Sequence, residues 1–250
     1  MNDPFQIRFM RLLLSTVLTV IAPIASANIF CSKVLTSRPI ILSGDQTSIE
    51  AYLLQVELPP KESWVFIGDT NDRVFRIEIS AELSVVWRGS SGDKDHEVAA
   101  YQVDRLFGFN VVPVTVRRKF DNQWGSLQLF AKNMSEAAVK PPPILVIFDY
   151  LIGNEDRGVG HNFFLTKKGQ PVAFDHENSF QADLENFPIS QRELKLSVER
   201  LGNDALVSQL RSLSARQIRK KLSPYLSADE IDGLLRRRNQ IVRSALRNLY

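Results

Sequence analysis

Cysteine is almost missing from this chain. Cys31 is the single one in 250 residues, so an intrachain disulfide is excluded. Phe30 before it is too bulky for a lipoprotein processing site, which leaves Cys31 as a small buried residue or an unpaired thiol. Charge of one sign is scarce as well. The net charge is +3 and the pI about 9.0, a surplus too mild to imply a nucleic-acid partner. His96, His161 and His176 are the three histidines, and no two of them have H-x-x-x-H spacing. For His161 and His176 the plain role is loop hydrogen bonding, and the sharper one is to orient nearby ligands or contact phosphate. G-x-S-x-G and G-x-x-x-x-G-K-[ST] do not occur, which removes the nucleophile elbow and the P-loop. No internal repeat or low-complexity tract stands out.

Long apolar runs are few. Residues 12–24 form one, short for a membrane span of about 20 residues. Arg8 and Arg11 precede it, and Ala25-Ser26-Ala27 follows it. Residues 1–27 therefore read as a signal peptide, with an uncleaved anchor as the alternative. The chain is expected to be exported, to a periplasm or secreted. Export without disulfides fits a bacterial periplasm better than an animal secretory pathway.

What remains is ordinary globular composition, 44% hydrophobic and 24% charged, enough for one domain or two small lobes. Residues 40–42 and 49–56 read as strands. After Pro59-Pro60, residues 64–67, 74–79 and 83–87 read as three more. Residues 95–107 read as a helix capped by Asp95 and ended by Gly108. Strands are expected at 111–118 and 126–132, joined by a turn at Asp121-Asn122-Gln123. Residues 133–143 form a polar linker ending in three prolines. Residues 144–152 then read as a helix, ended by Gly153-Asn154. Beyond residue 190 the chain turns helical, over 191–201 and 205–213. Capping boxes follow at Ser214-x-x-Gln217 and Ser227-x-x-Glu230. The last helix places Ile231, Leu234, Leu235, Ile241, Val242, Ala245 and Leu249 on one face, and Arg236, Arg237, Arg243 and Arg247 on the other. The basic face is a solvated surface or, in the sharper reading, a weak contact with acidic lipid or protein.

The stretch 148–180 carries the chemistry. Two short apolar runs, 163–165 and 172–174, flank Lys168-Gly169 and read as a hairpin. It would gather Asn154, Asp156 and Asn162 with Asp175. Two carboxylates and a carboxamide suit a hard cation. They also suit phosphoryl transfer, where one Asp orients a hydroxyl while an Asn and a second Asp hold magnesium. Taken singly, each of these residues could be a turn or cap residue.

The ordered set Gly153-Asn154-x-Asp156-Arg157, Asn162, then Phe174-Asp175-His176 resembles the atypical kinases. These include the HipA-like, phosphoinositide and secretory-pathway (Golgi casein kinase and four-jointed) families. A second likeness lies in residues 97–118, E-V-A-A-Y-Q-V-D-R-L-F-G followed by V-V-P. The resemblance implies a two-lobed, kinase-like α+β fold. An antiparallel N-lobe sheet with one helix would span 28–139, and a mostly helical C-lobe 140–250. It implies Asp156 as the catalytic residue, Asn162 and Asp175 as ligands of Mg²⁺ or Mn²⁺, and ATP as cofactor. The partners would be a nucleotide and a hydroxyl-bearing acceptor: protein, lipid or sugar. Glu97 would be the helix glutamate, paired with the residue that grips the nucleotide phosphates. That residue is Arg88, in Val86-Trp87-Arg88, where the family has lysine. Two further departures are Gly158, where a His usually follows Asp-Arg, and Asn162, six positions after Asp156 instead of five. No G-x-G-x-x-G covers the nucleotide. The alternative implied by the departures is a kinase fold that has lost its chemistry and serves as a nucleotide- or protein-binding module.

Overall fold

The computed structural model describes residues 45–68, 73–90, 95–130, 140–157, 161–182, 187–202 and 204–246. The expected signal peptide, the 40–42 strand, Cys31, Gly158, Arg247 and the boundary near 139 lie outside these residues.

The described chain opens with helix α1 (Gln46–Gln55), where a strand over 49–56 was expected. The correction has a local cause. Asp45 caps the first turn by accepting from the Ser48 N–H, and the buried residues Ile49 and Leu53 are four apart. That is one helical face, not a strand alternation. Strands β1 (Val65–Phe66), β2 (Val74–Glu78) and β3 (Ser84–Gly89) follow. Helix α2 (His96–Phe107) then leads to β4 (Thr115–Phe120) and β5 (Gln123–Leu129). The five strands form one antiparallel sheet in the order β1-β2-β3-β5-β4. The β4–β5 turn places Asp121 and Asn122 at φ 46° and 63°, the left-handed pair that matches strand twist in a tight hairpin.

β4 begins later than residue 111. Pro113 has no N–H to give a ladder, and Val111 is engaged elsewhere: its N–H donates to Asp104 and its carbonyl accepts from Ala173. Val111 thereby ties α2 to the distant hairpin.

The second half is mostly helical. Helix α3 (Pro143–Ile152) starts after prolines that suit the first turn. Gly153 ends it in the left-handed region at φ 66°. A Cβ there would lie 2.9 Å from the Arg237 guanidinium, so both conformation and space require glycine. The hairpin β6 (Phe163–Leu165) and β7 (Pro171–Ala173) comes next. Then come α4 (Gln191–Leu201), α5 (Asp204–Ser212), α6 (Ala215–Leu222) and α7 (Ala228–Leu246). Both capping boxes form. The architecture is α+β with two lobes, a sheet with its helices followed by a helical half. α3 packs against α4 and α7, and α2 against α3, α5 and α6. Among the described residues no helix is long and apolar enough to cross a membrane.

One expectation for α7 is corrected. Arg237 does not share the solvated face; it is 2% exposed. Its Nε donates to the Leu151 carbonyl and its Nη1 to that of Gln181. The helix position that looked basic and solvated is used to close the C-terminal end of α3.

Candidate functional site

The loop after α3 is held by a buried ion pair. Arg157 and Asp149 have side chains 2% and 1% exposed, with Nε 3.1 Å from Oδ2. Asn154 is buried beside them. It donates from Nδ2 to Asp149 Oδ1 at 3.1 Å, and its own Oδ1 accepts from the Asp156 N–H at 3.1 Å. Arg157 Nη1 donates to the carbonyls of Asn162 and of Phe174, the latter at 2.9 Å. One guanidinium thus reaches α3, the start of the hairpin and its end. A buried charge without such pairing would cost several kcal/mol, so the arrangement holds as a unit. Asp149 went unnoticed in the sequence because it sits inside an apolar helical run. Its signal was a lone carboxylate on an otherwise buried helix.

That clamp sets the candidate residues side by side. The Phe174 N–H donates to the Asn162 carbonyl at 3.1 Å, closing the hairpin base between Asn162 and Asp175. Both residues are left-handed, at φ 57° and 58°, a conformation Asn and Asp tolerate better than most residues. Asn162 Nδ2 lies 3.4 Å from the Asp156 carbonyl, and Asn178 Nδ2 lies 3.4 Å from Asp156 Oδ2. Asp156 is exposed and Asp175 half-buried. Burial pushes the Asp175 carboxyl above the ordinary range against the pull of Arg88, with the charge of Glu97 and, less, that of Asp156 adding to the rise. Two carboxylates that repel, with an amide oxygen at hand, are a donor set that fits a hard divalent cation. Asn162 and Asp175 would hold it, with the Asp156 carboxylate beside them. Among the described residues no three His, Cys, Asp or Glu side chains cluster as a metal site; the set proposed from sequence counts two carboxylates and an amide.

Arg88, at the end of β3, faces this group. Its Nη2 is 2.9 Å from Asp175 Oδ1, and its Nη1 pairs with Glu177. Glu177 was missed in the sequence, since its signal, one acid two residues after Asp175, is common in turns. Gly125 makes room on the neighbouring strand: a Cβ there would lie 2.3 Å from the Arg88 carbonyl. Glu97, in the first turn of α2, is buried and faces the same cavity. Its carboxylate accepts from the His176 N–H at 2.6 Å and meets His176 Nδ1 at 3.1 Å. Arg88 bridges Asp175 and Glu177, while Glu97 anchors the residue after Asp175. Arg88 still acts on Glu97 through its charge. His96, at the start of α2, completes the frame, with Nδ1 2.7 Å from the Glu177 carbonyl and Nε2 2.8 Å from Glu230.

The cavity between sheet and hairpin has a volume near 280 Å³. Its walls include Val74 and Val86 from the sheet and Val172 and Phe174 from the hairpin, together with Arg88 and Asp175.

No family model and no curated sequence matches the chain. Among solved structures, it is similar to the proinflammatory kinase CtkA of Helicobacter pylori, at 14% identity and a TM-score of 0.47, covering 79% of this chain and 97% of that one. It is also similar to HipA of Shewanella oneidensis, solved with HipB and operator DNA, at 12% identity and a TM-score of 0.37, covering 85% of this chain and 74% of that one. At such identities and scores these likenesses decide nothing about the site.

Proposed function

We propose that the chain transfers the γ-phosphoryl group of ATP, with Mg²⁺ or Mn²⁺, to a hydroxyl of a protein, lipid or sugar. One observation carries this reading: Asp156, Asn162 and Asp175 converge at the hairpin base, beside a cavity with Arg88 at its edge. In the proposed reaction Asp156 orients the acceptor hydroxyl. Asp175 and Asn162 hold the cation, which would neutralise charge on the phosphates. Arg88 grips phosphate with two donors, and Glu97 sets Asp175 through His176. Export, and a weak contact of the remaining basic residues of α7 with acidic lipid, belong to the same proposal.

Asp175→Ala is expected to abolish metal-dependent nucleotide binding in a calorimetric titration. Binding that survives unchanged would overturn the assignment.

A second reading, a binding module without chemistry, is favoured by the engagement of Arg88 with Asp175 and Glu177. The guanidinium supplies there the positive charge that a cation would otherwise bring. Arg88→Lys separates the two readings. A lysine cannot bridge both carboxylates in a fork, so ATP turnover should fall by about tenfold or more, the worth of one charge-assisted hydrogen bond. A rise in turnover would instead mark Arg88 as the lesion of a module that has lost activity.

A further inference from the structure

Strand register lines up one face of the sheet along the cavity. Val74 is opposite Arg88, Val86 is opposite Gln128, and Gln128 is opposite Thr115. Gln128 lines the cavity and is 9% exposed, yet neither the cation set nor the phosphate grip uses it. Its Nε2 donates to Thr115 Oγ1 at 2.9 Å, and Thr115 Oγ1 donates to the Pro113 carbonyl at 2.8 Å. A carbonyl only accepts, so the single hydroxyl proton of Thr115 is spent on Pro113. The hydroxyl oxygen can then only accept from Gln128. This relay fixes which end of the amide is the NH₂, a choice that position alone does not make. Gln128 Oε1 has no hydrogen-bond partner among the described residues and keeps some accessible surface where the residue lines the cavity, so it is free to accept from a bound group.

We propose that Gln128 Oε1 reads the nucleotide base, accepting a hydrogen bond from the exocyclic amine of adenine and opposing a base with a 6-oxo group. This rests on the nucleotide reading above. The apolar pairs Val74–Val86 and Val172–Phe174 supply the slot for a planar ring. Thr115 is a positioning residue: it touches no ligand and keeps the amide from turning over. A freely turning Gln would accept either base, since its NH₂ end serves a 6-oxo group as well as its carbonyl serves an amine.

The test compares ATP with inosine triphosphate, in which a 6-oxo group replaces the 6-amine. Titration calorimetry of the full chain with Mg²⁺ should show ATP binding about tenfold tighter or better, the cost of setting acceptor against acceptor in a buried place. Gln128→Leu should bring the ratio near one. Thr115→Val should narrow it, and Thr115→Ser, which keeps the hydroxyl, should restore it. Gln128→Met serves if the leucine variant does not fold. A wild-type ratio near one, or a preference that survives both Gln128 variants, overturns the role of Gln128 and leaves the nucleotide reading standing. No binding of either triphosphate overturns both.

Discussion

Helix α2 carries two buried carboxylates that behave in opposite ways. Glu97 in its first turn is 6% exposed, and Asp104 near its last is 1% exposed. Burial pushes both upward. At Glu97 the His176 hydrogen bonds and charge, with the charge of Arg88, outweigh burial and hold the carboxyl down at about 2. At Asp104 burial wins, and the carboxyl rises to about 7, although the N–H groups of Val111 and Val112 and the charge of Arg105 pull the other way. Depth therefore does not decide ionisation here; the partner does. The end of α2 that faces the cavity is built to stay charged, and the end that faces the core is built to do without charge. The two ends also give opposite slopes of stability with pH. The depressed Glu97 stabilises above its unfolded value of 4.5, and this is lost as pH falls through about 2. The raised Asp104 favours the fold below its unfolded value of 3.8, and that contribution is lost as pH rises through about 7.

Glu97→Ala should break the charged end most severely. It strands the His176 N–H and imidazole and removes a counter-charge from Arg88. The expected loss is about 3 kcal/mol in denaturant unfolding at neutral pH, the scale of a broken buried pair. A loss below about 1 kcal/mol would put Glu97 in the class of surface ion pairs and dissolve the contrast. Asp104→Asn sharpens the other end. Asn keeps an oxygen for the Val111 N–H and cannot ionise. The stability advantage of wild type over this variant should shrink between pH 4 and 7, by on the order of 3 kcal/mol. A difference that stays flat with pH, measured by unfolding across that window, would mean Asp104 is not held protonated.

The contrast also marks what the sequence could disclose. Elements set by local chemistry were legible: α2 with its Asp95 cap, α3 between prolines and Gly153, the hairpin around Lys168-Gly169, and both capping boxes. So was the convergence of Asp156, Asn162 and Asp175, because a short hairpin joins them. Partners remote in the chain were not. Nothing near Glu97 announces His176, and nothing near Arg88 announces Glu177. The pairing of Asp149 with Arg157 needs only one turn and a loop, yet it hid inside an apolar run. Arg237 was misread for a related reason. Helical spacing gives the angle of a side chain about the helix, and it is silent on whether carbonyls from Leu151 and Gln181 wait there to receive it. The α1 segment shows the reverse error, where β-branched and apolar residues suggested a strand although Asp45 and the Ile49–Leu53 spacing already spelled a helix.

The smallest effect expected comes from Asp95, next to Glu97 and again opposite to it. Asp95 caps α2 by accepting from the Val98 N–H at 3.2 Å. Burial raises its carboxyl to about 6, with the charge of Glu97 adding to the rise and the Val98 hydrogen bond opposing it. Its second oxygen is buried without a hydrogen bond. A cap needs an acceptor, and either an acid or an amide supplies one. Asp95→Ala should therefore cost about 1 kcal/mol, while Asp95→Asn, which keeps the acceptor and removes a charge that repels Glu97, should cost less than half as much. Both are read from the same unfolding curves at pH 7, above the value of about 6. Equal losses in the two variants would mean that the negative charge at the start of α2, and not the cap, holds that turn. The charged end of the helix would then comprise both acids, and its contrast with Asp104 would be one of position along the helix rather than of partner.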